Sequence, residues 1–290
     1  MVDLHTHSTA SDGTFTPAQL IKAAKKAGLF AIALTDHDIL AGLDEAEAEA
    51  ENLNIIFIRG IEISINWQPG EFHLLGLDLR KPSRELDKLL KKLQSERENR
   101  NFLIAEKLRG EGFNITYEKV KEFAGGKGGV GRPHFAAYME AHKMVKNMQK
   151  AFDRYLGKHC PCFVEKQNAV FEEAVSAIDS AGGIPVLAHP MSLYLSWAHL
   201  PKAIENLKER GLIGIEAWNA STRYNDCKRL EALADKLNMP ITAGSDFHGT
   251  IRKDRKLGFT SGGIKIENRF YENLRSVHSD LPPLPFDGEI

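Results

Sequence analysis

The sequence predicts an α/β protein in which the strands of a barrel-like sheet alternate with helices and a helical insertion separates the two halves of the barrel. Short apolar runs alternate with amphipathic segments along most of the chain. Charged and imidazole side chains follow several of these runs abruptly, and the region from about residue 83 to 157 is almost wholly helical in pattern. Strands that alternate with helices predict parallel pairing through βαβ units.

The strands are predicted from short runs of apolar residues. In the first strand Asp3, His5 and His7 alternate, so the two histidines project from the same side. The other strands are predicted at residues 29–35, 54–64, 71–79, 184–188, 212–217 and 240–243.

The helices between these strands have recognisable boundaries. Thr16-Pro17-Ala18-Gln19 is a capping box with proline at the first helical position, and Gly28 can end the helix that it starts. Further helices are predicted at residues 42–52, 169–181, 201–210 and 224–237.

The region from 83 to 157 breaks the alternation of strands and helices, because its leucines recur at helical spacing. A glycine-rich segment at 125–131 interrupts it and lacks the Gly-Lys-Ser/Thr ending of a P-loop. We interpret the region as an insertion between the two halves of the barrel. The tail at 280–285 is predicted to be extended.

Composition excludes several functional classes. The chain has 290 residues and a formal net charge of -1, so no global positive field would gather long duplex nucleic acid. No apolar run approaches the roughly 20 residues needed to cross a bilayer. The N-terminus lacks the pattern of a secretory signal, and three cysteines do not suggest a disulfide framework. We therefore expect a cytoplasmic protein without membrane partners.

A set of imidazole and carboxylate groups lies at or just after the predicted strand ends. In parallel α/β barrels the strand ends converge on one face, where active sites lie. Groups that are far apart in sequence are therefore expected to meet in space. The set consists of nine residues: His5, His7, Asp12, His37, Glu62, His73, His189, Asp246 and His248.

Such a set predicts bound divalent metal ions. Buried unpaired charge is costly, whereas carboxylates neutralise metal charge and imidazoles supply nitrogen ligands. Nine ligands exceed the needs of one ion and suit two or three ions that share a bridging carboxylate. Nitrogen and oxygen ligation without thiolate is compatible with manganese, zinc or iron. Clustered ions activate water and clamp the oxygens of an in-line displacement, so hydrolysis, especially of a phosphate ester, is the predicted chemistry.

Four other polar residues near the strand ends have less specific patterns. Glu216 and Asn219 follow a predicted strand, and either packing or the orientation of metal ligands would explain them. Asp36 and Asp38 flank His37 and could orient ligands through hydrogen bonds.

At these residues the chain resembles the PHP (polymerase and histidinol phosphatase) family. The resemblance is carried by five motifs: Asp3-Leu4-His5-Thr6-His7, Thr35-Asp36-His37-Asp38, Gly60-Ile61-Glu62-Ile63-Ser64, Ala188-His189-Pro190 and Gly244-Ser245-Asp246-Phe247-His248. It implies a distorted (β/α)7 barrel, similar to a TIM barrel, with a trinuclear metal centre. Among manganese, zinc and iron, we favour manganese.

The resemblance also distributes the ligands among three metals. The first would be held by His5, His7, Glu62 and Asp246. Glu62 would bridge to a second metal, completed by His73 and His189. Asp12, His37 and His248 would hold the third, and the catalytic residues would be His5, His7, Asp246 and His248.

The resemblance extends to the branch of the family that acts on 3′,5′-nucleoside bisphosphates and short oligoribonucleotides. That branch carries a helical insertion in the place of residues 83–167, which leaves 1–82 and 168–290 as the barrel domain. Within the insertion, Gly131-Arg132-Pro133-His134-Phe135 resembles a phosphate-binding motif. Arg132 and His134 are therefore predicted to grip a substrate phosphate. The expected reaction is release of the 3′-phosphate, with 5′-to-3′ exonuclease activity on short RNA as an extension.

Three alternatives differ from this reading. Another activity of the family, such as histidinol-phosphate phosphatase, would use the same metals. A non-catalytic metal-binding regulatory module would retain the ligands without turnover. A dinucleotide-binding oxidoreductase is rejected, because it needs Gly-x-Gly-x-x-Gly after the first strand, where this chain has His5, His7 and Asp12. Base preference, physiological substrate and oligomeric state are not readable from the sequence.

Overall fold

The computed structural model describes residues 1–125 and 130–284. These residues divide into two compact units. One unit comprises Met1–Leu89 and the chain from Ala169 onward, and the other comprises Leu90–Asn168. The predicted insertion, 83–167, includes all of the second unit except Asn168, together with residues 83–89 of the first unit. Most of the predicted glycine-rich segment at 125–131, and the end of the predicted tail, lie outside the described residues.

The first unit is built on a sheet of seven strands in sequential order. The strands are β1 Val2–Asp3, β2 Ala31–Leu34, β3 Ile56–Ile65, β4 Phe72–Leu77, β5 Ile184–Leu187, β6 Gly214–Asn219 and β7 Ile241–Gly244. The ends of the sheet meet, because Leu4 N donates to Ala243 O at 3.1 Å and Asp246 N donates to His5 O at 2.9 Å. The sheet is thus a nearly closed barrel, as predicted.

The expectation of purely parallel pairing is wrong for β4. This strand pairs antiparallel with both β3 and β5, whereas the other neighbours are parallel. Residues 66–71 connect β3 to β4, and so short a connection can form a hairpin but cannot contain the crossover that a parallel pair needs. The reversal puts His73, the second residue of β4, opposite Ser64 near the carboxyl end of β3.

The helices of this unit accompany the strands. They are α1 Pro17–Lys26, α2 Leu43–Leu53, α7 Phe171–Ser180, α8 Leu200–Glu209, α9 Tyr224–Lys236 and α10 Arg269–Val277. The predicted capping box of α1 is confirmed, because Gln19 N donates to Thr16 Oγ1 at 3.2 Å and Thr16 N donates to Gln19 Oε1 at 3.0 Å. Leu20 and Ile21 of α1 pack with Ile32 and Leu34 of β2 in a buried cluster. Burial of each such side chain stabilises the fold by about 1.5–3 kcal/mol, which fixes the strands that carry the polar residues.

The remaining helices are α3 Arg84–Gly110, α4 Tyr117–Phe123, α5 Arg132–Ala141 and α6 Met148–Ala151, followed by a π-helical turn at Phe152–Leu156. The second unit has an apolar core of its own, which includes Ile104, Leu108, Phe135 and Met139. Within residues 1–125 and 130–284, no helix combines the length and the apolar character needed to cross a membrane.

Candidate metal centre

The barrel places the nine predicted ligands in one cluster at the carboxyl ends of its parallel strands. His5, His7 and Asp12 follow β1, His37 follows β2, and Glu62 lies within β3. His73 enters from the reversed strand β4, His189 follows β5, and Asp246 and His248 follow β7. The expectation that residues distant in sequence meet at the strand ends therefore describes the observed geometry.

Glu62 lies at the centre of this cluster, and its carboxylate is almost completely buried. Oε2 lies 3.3 Å from His5 Nε2, 3.2 Å from His7 Nε2 and 3.1 Å from His37 Nδ1. Oε1 lies 3.0 Å from His73 Nδ1 and 3.0 Å from His189 Nε2. A carboxylate whose two oxygens face different sets of imidazoles has the geometry of a bridging ligand.

Three overlapping groups within the cluster have their ligand atoms within 4.8 Å of one another. The groups are His5, His7, Glu62 and Asp246; His37, Glu62 and His73; and His7, Asp12, His37 and His248. The first equals the set predicted for the first metal. The second contains His37 where the resemblance implies His189, although the Nε2 atom of His189 contacts the same Glu62 oxygen as His73. The third adds His7 to the predicted set.

Buried polar atoms in these groups test whether the residues fit metal ions. Burial of a polar atom without a hydrogen bond is costly, so such atoms usually indicate an absent partner. Divalent cations are suitable partners for neutral imidazole nitrogen and carboxylate oxygen, so the site fits them. Among the described residues, the buried atoms that lack a hydrogen-bond partner include His5 Nε2, His7 Nδ1 and Nε2, His37 Nδ1, His73 Nδ1 and Glu62 Oε2.

Protonation differs between the histidines of the cluster. Burial opposes a charge on His5, but Glu216 and Glu62 outweigh this effect and raise the pKa of His5 to about 10. Burial lowers the pKa of His37 to about 3 and also lowers the pKa of His248. His37 and His248 are thus neutral at pH 7, ready to act as ligands, whereas His5 must lose a proton to a bound metal. The pKa of Glu62 lies well below its usual range because the surrounding histidines outweigh its burial.

Glu216, for which the sequence left packing and ligand orientation open, contacts a predicted ligand directly. Its Oε1 lies 2.9 Å from His5 Nδ1, and its Oε2 accepts hydrogen bonds from His189 N at 2.7 Å and Asn219 Nδ2 at 3.0 Å. A carboxylate on the far nitrogen of a ligating histidine fixes its tautomer and raises its basicity. An acidic residue between the apolar residues Ile215 and Ala217 of strand β6 was the signal in the sequence.

Other buried carboxylates hold the loops that carry the ligands. Asp36 Oδ1 accepts from Ser8 N at 2.8 Å and from Ser11 Oγ at 2.6 Å, which ties the segment before Asp12 to the end of β2. Asp38 Oδ1 accepts from Ser64 N at 3.0 Å. These contacts hold the segments next to His7, Asp12 and Glu62, and the orienting role of Asp36 and Asp38 stays a prediction.

Left-handed backbone conformations recur at the ends of the strands. The φ angle is 54° at Asp38, 27° at His189 and 51° at Asp246. Such conformations are uncommon for residues other than glycine, cost of order 1–3 kcal/mol each, and cluster at functional sites. Here they turn the chain sharply at the point where a strand delivers a side chain to the cluster.

Arg255 is a residue of this site that the sequence analysis missed. Its side chain is buried, forms an ion pair with Asp246 Oδ2, and donates to Asp246 O at 3.0 Å. These contacts leave Asp246 Oδ1 directed towards His5 and His7, at 3.5 and 3.1 Å. No local pattern distinguishes Arg255 from the basic residues around it, because residues 252–256 read as an exposed charged loop.

A cavity of about 520 Å³ opens over the cluster. Its lining includes ligand residues, Arg252, Arg255, Ser221 and Tyr194. A cavity of this size accommodates a small ligand.

Both residues of the predicted phosphate clamp belong to the helical unit. Arg132 begins α5, donates to Leu156 O at 3.2 Å, and its guanidinium lies 5.1 Å from the centroid of the Phe163 ring. His134 Nδ1 accepts from Gly131 N at 3.1 Å, so a neutral His134 ring carries its proton on Nε2. Burial, with the charges of Arg132 and Arg97 nearby, lowers the pKa of Arg100 to about 10.

Comparison with known families identifies the family to which the fold belongs. The PHP domain matches residues 3–157. The chain belongs to the PHP domain family. This membership confirms the resemblance that the strand-end motifs indicated.

Two relatives match almost the whole PHP chain. A 5′-3′ exoribonuclease of Haemophilus influenzae is 35% identical over 271 residues, which cover 92% of this chain and 98% of the relative. A 3′,5′-nucleoside bisphosphate phosphatase of Chromobacterium violaceum is 32% identical over 259 residues, which cover 89% and 91%.

A solved structure also has the same fold as this PHP protein. It is an amidohydrolase from Chromobacterium violaceum, determined with bound sulfate and no metal, and it superposes with a TM-score of 0.81. The alignment covers 99% of each chain at 28% identity. The similarity therefore includes both the barrel and the helical unit.

Proposed function

We propose that this PHP protein is a metal-dependent phosphoesterase that releases the 3′-phosphate of 3′,5′-nucleoside bisphosphates. The observation that carries the proposal is the cluster around Glu62, where buried imidazole and carboxylate atoms of the described residues lack hydrogen-bond partners. Relatives that cover nearly the whole chain and act on nucleoside bisphosphates or RNA support the substrate class.

The proposed centre contains three divalent ions, with manganese favoured over zinc or iron. The three overlapping ligand groups support this number, since Glu62 belongs to two of them and His7 and His37 each belong to two. All the ligand atoms are nitrogen or oxygen, which suits these metals. When bound, such ions activate the attacking water and neutralise the non-bridging oxygens of the phosphate.

The residues of the chain prepare this chemistry by fixing positions and protonation. His5, His7, Asp246 and His248 form the proposed catalytic part of the ligand set. Glu216 holds His5 through Nδ1, so that Nε2 is directed towards Glu62 and Asp246. Ligands fixed before substrate binds need little reorganisation during the reaction, which is the main source of electrostatic catalysis.

The second phosphate of the substrate is assigned to Arg132 and His134. The mutual influence of Arg97, Arg100 and Arg132 supports an anion site, because clustered guanidinium groups repel one another and gain from a bound phosphate. A phosphate held there would position the scissile ester for hydrolysis. The same anchor would serve short oligoribonucleotides with a 5′-phosphate, so 5′-to-3′ exonuclease activity extends the proposal.

The test is release of inorganic phosphate from adenosine 3′,5′-bisphosphate by manganese-loaded enzyme, with histidinol phosphate assayed in parallel. We expect metal-dependent release from the bisphosphate and no release after His5→Ala or Asp246→Asn. Arg132→Ala should raise KM for the bisphosphate with little change in kcat.

Each other outcome has a distinct meaning. Release from histidinol phosphate alone would retain the metal centre and refute the nucleotide substrate. Stoichiometric metal binding without turnover of either compound would identify a regulatory module. An unchanged KM after Arg132→Ala would refute the clamp.

A further inference from the structure

Tyr194 is an exposed aromatic side chain at the rim of the cavity over the metal ligands. Its relative exposure is 73%, the highest among the exposed large hydrophobic residues of the described chain. It lines the same cavity as Glu62, His189 and Asp246. The ring is therefore available to a molecule that reaches the cluster.

The segment that carries Tyr194 is held against the barrel. A 3₁₀ turn at Pro190–Leu193 follows His189 and ends at Tyr194. Ser192 exchanges two hydrogen bonds of 2.8 Å with the backbone of Glu71, and Trp67 Nε1 donates to Leu193 O at 3.2 Å. Because hydrogen bonds fix Ser192 and Leu193, the backbone that carries the Tyr194 ring is held in place.

The backbone at Tyr194 is left-handed, with φ 53° and ψ 32°. Bulky residues rarely adopt this conformation, whereas glycine and asparagine adopt it readily. A tyrosine in this position costs free energy relative to glycine and, at 73% exposure, recovers little of it through burial. Strain of this kind is typical of residues that contact a ligand.

The residues that line the cavity are mostly charged or polar, which distinguishes the ring of Tyr194 from its neighbours. Among the described residues that line the cavity, Tyr194 is the only phenylalanine, tyrosine or tryptophan, and Met191 is the only other apolar residue. The other lining residues are histidines, carboxylates, serines and arginines. Because the lining histidines are proposed metal ligands, Tyr194 is the aromatic side chain of this lining that remains for an aromatic part of a bound substrate to stack on.

We propose that Tyr194 is a stacking platform for the nucleobase and makes the site select phosphate esters that carry a base. This inference rests on the proposed function, since it identifies the part of the nucleotide that the barrel itself recognises. Stacking on a tyrosine tolerates every base, because every base has a π-face. The expected selectivity is for a base over no base, without strong discrimination between bases.

The test compares adenosine 3′,5′-bisphosphate with its abasic analogue, in which hydrogen replaces adenine, using manganese-loaded enzyme. For Tyr194→Ala we expect KM for the adenosine compound to rise by about 5- to 150-fold, while KM for the abasic compound stays unchanged. Tyr194→Phe keeps the ring and should behave as the wild type. Tyr224→Ala is the matched control, because Tyr224 is also an exposed tyrosine, at 50%, but does not line the cavity.

The outcomes separate this inference from the proposed function. If Tyr194→Ala changed KM equally for the two substrates, or changed neither, the stacking role would be overturned. Turnover of the bisphosphate by the wild type would still support the proposed function. If the wild type released no phosphate, the proposed function would fail. Equilibrium dialysis with adenosine 5′-monophosphate and manganese would then decide: weaker binding by Tyr194→Ala supports stacking, and equal binding overturns it.

Discussion

At the residue scale, the site depends on how buried carboxylates control imidazoles. Glu216 contacts His5 at Nδ1, and Glu62 contacts it at Nε2, so both nitrogens of this ring face a carboxylate. His37 contacts Glu62 through Nδ1, but burial keeps it neutral. Residues of one type therefore enter metal binding in different protonation states, because their carboxylate neighbours differ.

The first prediction concerns Glu216. Replacement by glutamine keeps the shape but removes the charge that orients His5 and raises its basicity, so affinity for manganese should fall about 10- to 100-fold. Isothermal titration calorimetry measures the change. Glu231→Gln is the matched control, since Glu231 bonds Trp218 Nε1 at 3.0 Å and is not a member of the ligand groups. Unchanged affinity in Glu216→Gln would refute the orienting role.

The second prediction concerns protons. Because the pKa of His5 is raised to about 10, His5 carries a proton at pH 7 and loses it when its Nε2 binds a metal. Metal affinity should therefore increase as pH rises from 7 towards 10, and binding should release about one proton from this residue. Calorimetry at pH 7.5 in buffers of different ionisation enthalpy measures the release. A heat of binding independent of the buffer would contradict the assignment.

At the element scale, the close approach of β7 to the chain after β1 sets the position of two ligand segments. A Cβ atom at Gly244 would lie 2.2 Å from His5 Cβ and 2.7 Å from Glu216 Oε1. Asp3 of β1 also links this strand to the chain after β7, because its carboxylate accepts hydrogen bonds from Ser245 N at 2.9 Å and from Gly258 N at 2.8 Å. Ligands on β1 and β7 can share a metal only while these strands remain this close.

The third prediction follows from this approach. Gly244→Ala should force the ends of β1 and β7 apart, lower the free energy of unfolding by about 1–3 kcal/mol as overpacking does, and weaken manganese binding. Urea denaturation and metal titration measure the two effects. Gly110→Ala is the control, because a Cβ at Gly110 meets no atom within 4 Å. Equal stability and equal manganese affinity in the two variants would show that the close approach of β1 and β7 does not control metal binding.

At the scale of the whole molecule, metal ions would act as cross-links between distant parts of the chain. The proposed ligands extend from His5 to His248 and come from six of the seven strands or the loops after them. The unit Leu90–Asn168 supplies no member of the three groups. Metal binding and folding of the barrel unit should therefore be coupled, because the complete set exists only in the folded barrel.

The fourth prediction tests this coupling. At a free manganese concentration one hundredfold above Kd, the folded state should gain about 2.7 kcal/mol, and chelation should remove this gain and lower the Tm. The increment should be smaller in His5→Ala, which lacks a ligand of one of the three groups. Arg132→Ala should retain it, because Arg132 belongs to the helical unit. A Tm that changes neither with added manganese nor with added chelator would contradict the proposed centre.

The sequence by itself determined the barrel class, the helical insertion and the nine ligand candidates, because these depend on local properties. Apolar periodicity predicts elements, and strand ends of an α/β barrel converge on one face. A histidine that ends an apolar strand is therefore informative without any knowledge of its neighbours.

The tertiary structure alone decided which partner each ligand has. The contact of Glu216 with His5, the pairing of Arg255 with Asp246 and the sharing of Glu62 by five histidines join residues far apart in the chain. The reversed strand β4, which brings His73 to the cluster, and the left-handed backbone that exposes Tyr194 also depend on neighbouring segments. Distances, burial and protonation arise from packing between elements, and local patterning along the chain does not encode them.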